Sequence, residues 1–189
     1  MNRILLHMMV SLDGFFEGPD GSLEWHMVDE ELHQYFNDEM THAGAFVGGR
    51  LNYQLMEEFW PTADEGDDVP PVMAEFAGIW RRVPKVVYST TLTTVGPNAT
   101  LLRDVDPDDV RRLRDEAGGD LYVGGAILGR RFLEVNLIDE LRLYVNPLVL
   151  GQGRRLFEES SQRIDLRLLE TRPFTNGVVL LRYGLQPAS

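Results

Sequence analysis

Three short apolar, strand-like runs end directly in small or hydroxylated residues. Ala45-Phe46-Val47 passes into Gly48-Gly49-Arg50, Lys85-Val86-Val87-Tyr88 into Ser89-Thr90, and Leu121-Tyr122-Val123 into Gly124-Gly125-Ala126. Glycine lets backbone amides approach a phosphate, and the first turn of a helix adds unpaired N–H donors and the positive end of its dipole. Side by side at the carboxyl ends of parallel strands, such turns suit a diphosphate-bearing nucleotide. A single glycine pair is more often a tight connection than a site, so the inference rests on all three. None has the GxGxxG or GxxxxGK[ST] spacing, which argues against an ordinary Rossmann site and against a P-loop.

Composition removes other chemistry. With no cysteine there is no disulfide, no thiolate nucleophile, no Cys-ligated metal and no HxE...PCxxC zinc deaminase centre. His7, His26, His33 and His42 show neither HxH nor HExxH spacing, and no metal site is expected. A net charge of −12 argues against nucleic acid or an anionic membrane as partner. A phosphate ligand must then use local cations, all arginine except Lys85, and the arginine fork suits phosphate. The apolar run after Arg3 is short and broken by His7, so no membrane span is expected and the cytoplasm is the expected location.

The elements that must position these turns follow from periodicity. At 189 residues and 43% hydrophobic, the chain has the size of one domain spanning 1–189. Arg3 to Val10 reads as a buried strand, and Asp13 to Trp25, rich in Gly, Pro and Asp, as a loop. Asp29 can cap a helix whose apolar face is Leu32, Tyr35, Phe36 and Met40. Leu51, Leu55 and Phe59 mark a second helix that Pro61 ends, and the acidic stretch from Thr62 to Pro71 reads as an exposed loop. Thr100 to Leu102 gives a short strand. Asp106-Pro107-Asp108-Asp109 starts a helix that Gly118-Gly119 stops, and Ile127, Leu128, Phe132 and Leu133 mark another. Strands then dominate: Glu140 to Val145, Ile164 to Glu170 with alternation at Ile164, Leu166 and Leu168, and Val178 to Tyr183 after an Asn176-Gly177 hairpin signal. This order predicts an α/β fold with a mixed, mostly parallel central sheet and antiparallel C-terminal strands at one edge.

Ser11-Leu12-Asp13-Gly14, Gly49-Arg50-Leu51-Asn52-Tyr53, Val86 to Leu92, Val123-Gly124-Gly125-Ala126, Leu137 to Leu141 and Pro147 to Gly153 occur in an order that resembles the dihydrofolate reductase-like superfamily. The closer resemblance is to the C-terminal reductase domain of the riboflavin-biosynthesis deaminase-reductase and its stand-alone relatives, and it covers nearly the whole chain. It implies a three-layer sandwich with helices on both faces of the sheet, and a homodimer in which Ile138 to Gly151 is a plausible contact segment. It implies NADPH, with Gly49, Arg50, Asn52 and Tyr53 at the diphosphate, Ser89 and Thr90 on the 2′-phosphate side, and Val123, Gly124, Gly125, Ala126, Ile127 and Leu128 along the diphosphate and nicotinamide. In dihydrofolate reductases the paired glycines carry a cis peptide, expected here at Gly124-Gly125.

The implied reaction is hydride transfer to a small heterocycle of the 5-amino-6-(5-phosphoribosylamino)uracil type, within riboflavin biosynthesis. Dihydrofolate reduction and nucleotide binding without turnover are the alternatives. Asp13 is either the catalytic acid or the cap of its turn. Met9, Trp25, Asp29 and Glu30 are assigned to the substrate side or to a closing loop from Gly14 to Trp25. Asp29 also reads as a simple N-cap, and Trp25 as an anchor for the loop. Folate reduction requires a carboxylate from Asp29, Glu30 or Glu31, and a match at Leu32 would remove it. Arg154 and Arg155 are either phosphate ligands or exposed loop cations.

Overall fold

The computed structural model describes residues 1–158 and 163–185. Its elements run β1 (Ile4–Ser11), β2 (Phe15–Glu17), α1 (Glu30–Met40), β3 (Ala45–Gly49), α2 (Arg50–Phe59), α3 (Pro71–Arg82), β4 (Lys85–Tyr88), β5 (Ala99–Leu102), α4 (Pro107–Glu116), β6 (Leu121–Gly124), α5 (Ala126–Glu134), β7 (Glu140–Asn146), β8 (Arg154–Arg155), β9 (Leu166–Pro173) and β10 (Val179–Leu185). One sheet has the order β5-β4-β3-β6-β1-β7-β10-β9. Its pairings are parallel from β5 to β7, and β10 is antiparallel to both β7 and β9. The architecture is the expected mixed, mostly parallel α/β sheet with antiparallel C-terminal strands.

β1 explains the layering. Its alternate residues Ile4, Leu6, Met8 and Val10 pack in one core with Val110 of α4 and Phe132 and Leu133 of α5. Leu5 enters a second core with Met40 of α1 and with Phe76, Ile79 and Trp80 of α3. A strand buried on both faces reads as a continuous apolar run, and β1 does. A third cluster joins Leu32 of α1 to Tyr144, Val178 and Leu180. The first three helices thus cover one face and the last two the other. The Asp29 side chain caps α1 by accepting from the Leu32 amide at 3.0 Å, and Asp106 caps α4 ahead of Pro107. Among the described residues no helix is long and apolar enough to cross a membrane.

Three features go beyond these expectations. First, α3 follows the acidic loop, where no helix is predicted. Pro71 occupies its first turn, where a missing N–H does no harm, and Val72, Phe76, Ile79 and Trp80 form one buried face. Second, the alternation from Ile164 does not mark a buried face. β9 is the last strand of the sheet and is exposed along almost its whole length, with Leu168 at 53%. Third, β7, which lies in the segment Ile138 to Gly151 expected as a dimer contact, is bracketed by β1 and β10 and offers no free strand edge.

Candidate functional site

The sheet register brings the glycine turns together. Gly49 lies opposite Tyr88, the residue before Ser89, and Gly48 lies opposite Gly124. α2 begins at Arg50 and α5 at Ala126, and neither N-terminus has a side-chain cap, so their first amides remain available. They open into a cavity of about 1290 Å³, larger than the roughly 300–1,000 Å³ of a single small-molecule site and roomy enough for a dinucleotide and a second ring. Its lining includes Gly49, Arg50, Asn52, Tyr53, Val123, Gly124, Gly125, Ala126, Ile127, Leu128 and Met9.

No cis peptide occurs among the described residues, so the expected cis bond at Gly124-Gly125 is absent. Gly125 makes the turn instead with φ +93°, a conformation open to glycine at little cost while a non-proline cis bond costs about 3 kcal/mol.

Ser89 and Thr90 line a separate hollow of about 380 Å³ with Thr91, Arg103 and Arg50, and Arg50 also borders the large cavity. The Ser89 hydroxyl is committed to the turn, accepting from the Thr91 and Leu92 amides at 3.2 and 3.0 Å. Arg103 donates through Nη1 to the Ser89 and Leu92 carbonyls at 2.7 and 2.6 Å, which fixes its guanidinium beside the hollow. The sequence reading missed Arg103. It becomes visible only through the pairing of β4 with β5, which sets Leu102 beside Tyr88.

The lid side is arranged differently from expectation. β2 pairs with β8, tying the loop after β1 to Arg154 and Arg155. Arg154 forms an ion pair with Glu17 and lies over Phe16. Arg155 donates to the Asp13 carbonyl at 2.8 Å and lies over Phe15. Both arginines therefore brace the loop, and of the two only Arg154 borders the cavity. Trp25 donates its indole N–H to the Ser22 carbonyl at 3.1 Å and anchors the loop outside the cavity lining, where Asp29 and Glu30 also stay. Glu31 accepts from the Thr175 amide and hydroxyl, and Leu32 is fully buried.

Asp13 is also outside the cavity lining. Partial burial would raise its pKa, but hydrogen bonds from Ser11 Oγ at 2.7 Å, Gly151 N at 2.8 Å and Leu150 N at 3.1 Å prevail and hold it at about 2. The carboxylate ties the turn after β1 to the loop after β7. Glu17 is the one carboxylate bordering the cavity among the described residues, and it is paired with Arg154.

Three histidines, His7, His26 and His33, border the cavity, although spacing singled out none of them. Burial, helped by Arg142, lowers the pKa of His7 to about 3, and burial also lowers those of His26 and His33. His7 Nδ1 and His26 Nε2 are buried without a hydrogen-bond partner among the described residues. The strand pattern of β1, with Leu5, His7 and Met9 sharing a face, was the available signal.

The fold and these strand-end turns define a dihydrofolate reductase-like α/β protein. The chain belongs to the RibD C-terminal domain family, which matches residues 2–180. It is 32% identical over 185 residues to the uncharacterised YyaP protein of Bacillus subtilis, covering 96% of this chain and 94% of YyaP. Among solved structures, Acinetobacter baumannii RibD superposes with a TM-score of 0.71 at 18% identity, covering 98% of this chain and 58% of that one. Enterococcus faecalis dihydrofolate reductase, in a complex with NADP(H), superposes with a TM-score of 0.67 at 14% identity, covering 98% and 97%. These two likenesses are of fold.

Proposed function

We propose that the protein is an NADPH-dependent reductase of a small heterocyclic, pyrimidine- or pterin-like substrate. The observation that carries this is one continuous cavity joining two uncapped helix N-termini to a ring-sized apolar chamber, with Arg50 shared between that cavity and a basic hollow. The residues fit the cofactor: amides at the starts of α2 and α5 suit a diphosphate, and Arg50 and Arg103 beside Ser89, Thr90 and Thr91 suit a 2′-phosphate. NADPH when bound supplies a hydride for a C=N or C=O bond. The protein's part is to hold the two rings face to face and exclude water.

Asp13 is a poor proton donor at a pKa of about 2 and lies away from the cavity, so the proton is assigned to water. The dihydrofolate alternative is weakened because no carboxylate of Asp29, Glu30 or Glu31 borders the cavity. Pairing with a second copy of the chain is also proposed, through the edge of β9 that is unpaired among the described residues and its exposed Leu166, Leu168 and Leu169. Light scattering that returns a monomer overturns the pairing. Calorimetry should show NADPH binding at least ten-fold tighter than NADH, and no binding of either overturns the reductase reading.

A further inference from the structure

Of the seven asparagines in the chain, only Asn176 is followed by glycine. That pair makes the turn between β9 and β10, with Asn176 half-buried and Gly177 exposed at φ +88°. Glycine suits the tight turn. It also leaves the backbone nitrogen after Asn176 without a side chain to shield it. The turn closes through two backbone bonds, Phe174 N–H to the Val178 carbonyl at 2.8 Å and Gly177 N–H to the Phe174 carbonyl at 3.0 Å.

The Asn176 carboxamide is engaged at both ends. Its Oδ1 accepts from the Val178 amide at 3.0 Å, which lays the side chain along the Gly177 peptide and polarises the Cγ=O bond. Its Nδ2 donates to the Met27 carbonyl at 3.0 Å. The Met27 N–H is in turn taken by Oδ1 of the fully buried Asn146 at 2.9 Å. Two side chains thus hold both backbone polar groups of one residue, as a neighbouring strand would. His26 and Val28, on either side of Met27, border the cavity, so this clamp sets the position of that wall.

We propose that Asn176 is a deamidation site, and that its conversion releases the clamp on Met27 and loosens the cavity wall at His26 and Val28. The Gly177 nitrogen loses its proton to hydroxide and attacks Asn176 Cγ, whose oxygen the Val178 amide holds. The Cγ–Nδ2 bond breaks, ammonia leaves with a proton from water, and a cyclic succinimide forms. Water opens that ring at either carbonyl, giving aspartate or isoaspartate with no change of oxidation state. The Gly177 bond to Phe174 must open first, which is a local event at an exposed turn and leaves the sheet intact. Afterwards a carboxylate, which only accepts hydrogen bonds, faces the Met27 carbonyl, which also only accepts. The Glu31 carboxylate, held in the same turn by Thr175, adds like-charge repulsion.

The test incubates the full chain at pH 8 without cofactor or substrate, so its outcome is independent of the reductase reading. Peptide mapping should show a gain of about 1 Da in the peptide holding Asn176 and in none holding the other asparagines, with isoaspartyl methyltransferase labelling the same peptide. Hydrogen exchange of Asn176→Asp should rise about ten-fold across Leu23 to Val28 while β1 and β7 keep the wild-type rate. Two results from the mapping overturn the proposal: no gain at Asn176 in the time a free peptide of the same turn converts fully, or a gain spread over the other asparagines. Exchange in Asn176→Asp that is unchanged across Leu23 to Val28, or raised equally in β1 and β7, overturns it as well.

Discussion

At the amino end of β7, Glu140 is 1% exposed and accepts hydrogen bonds from Arg142 and Arg182 at 2.7 Å each and from Arg3 at 2.8 Å. Arg182 reaches on to Glu170 at 2.6 Å, Arg3 to Asp120, and Arg142 to Glu39 and to the Tyr122 hydroxyl. Further up the same face, His7 lies opposite Arg142 in the β1–β7 register and borders the cavity, while its Nδ1 is buried without a partner among the described residues. One end of this face has its buried charges matched, and the other leaves polar atoms open. The contrast separates two conditions: a satisfied network holds the sheet together, while a buried atom left without a partner costs stability.

Breaking the network should have the largest effect. Glu140→Ala leaves Arg142, 2% exposed, with much of its counter-charge gone, and removing one partner of a buried pair costs about 3–5 kcal/mol. Urea unfolding should show that loss, and a loss below 1 kcal/mol would mean that the foot of the sheet is not held by charge. At the ligand end, Arg103→Ala should cost less stability than Glu140→Ala, about 1–2 kcal/mol for its two carbonyl bonds, and weaken NADPH about ten- to hundred-fold, the worth of a charged hydrogen bond, with NADH little affected. Equal losses for both cofactors would place the 2′-phosphate elsewhere.

The third prediction concerns the junction of the two regions. His7 titrates near 3 when folded against about 6.5 when unfolded, so it binds a proton more readily in the unfolded chain. Its contribution to stability is present above pH 6.5 and is lost as the pH falls toward 3, about 2 kcal/mol of it by pH 5. Asp13, at about 2, acts mainly below its ordinary value of 3.8, and so below the range between pH 5 and pH 7. Stability curves at pH 7 and pH 5 should therefore converge in His7→Phe by about that amount, with His26 and His33 supplying the remaining slope. An unchanged difference would show that His7 is solvated in the folded protein.

Much of the fold was legible because periodicity and capping are local. Asp29, Asp106-Pro107 and Asn176-Gly177 punctuate the chain where the structure punctuates it, and the double-sided burial of β1 shows directly as an unbroken apolar run. α3 was legible in its Val72, Phe76, Ile79 and Trp80 spacing, yet the preceding prolines and acidic residues carried the reading toward a loop. β9 misled for the reverse reason: alternation states that two faces differ and says nothing of whether a neighbour covers either.

The candidate site divides along the same line. Glycine, hydroxyl and arginine at strand ends are properties of the sequence, since turn geometry and phosphate chemistry are carried by residue type and immediate neighbours. Which turns meet, whether Asp13 reaches a ligand or a backbone amide, and whether Arg103 joins Ser89 depend on strand order and register. These place residues far apart in the chain within hydrogen-bond distance, and no local pattern encodes that. The surroundings of His7 were decided by tertiary structure alone, because its neighbours in space, Phe36, Arg142 and Tyr144, come from α1 and β7.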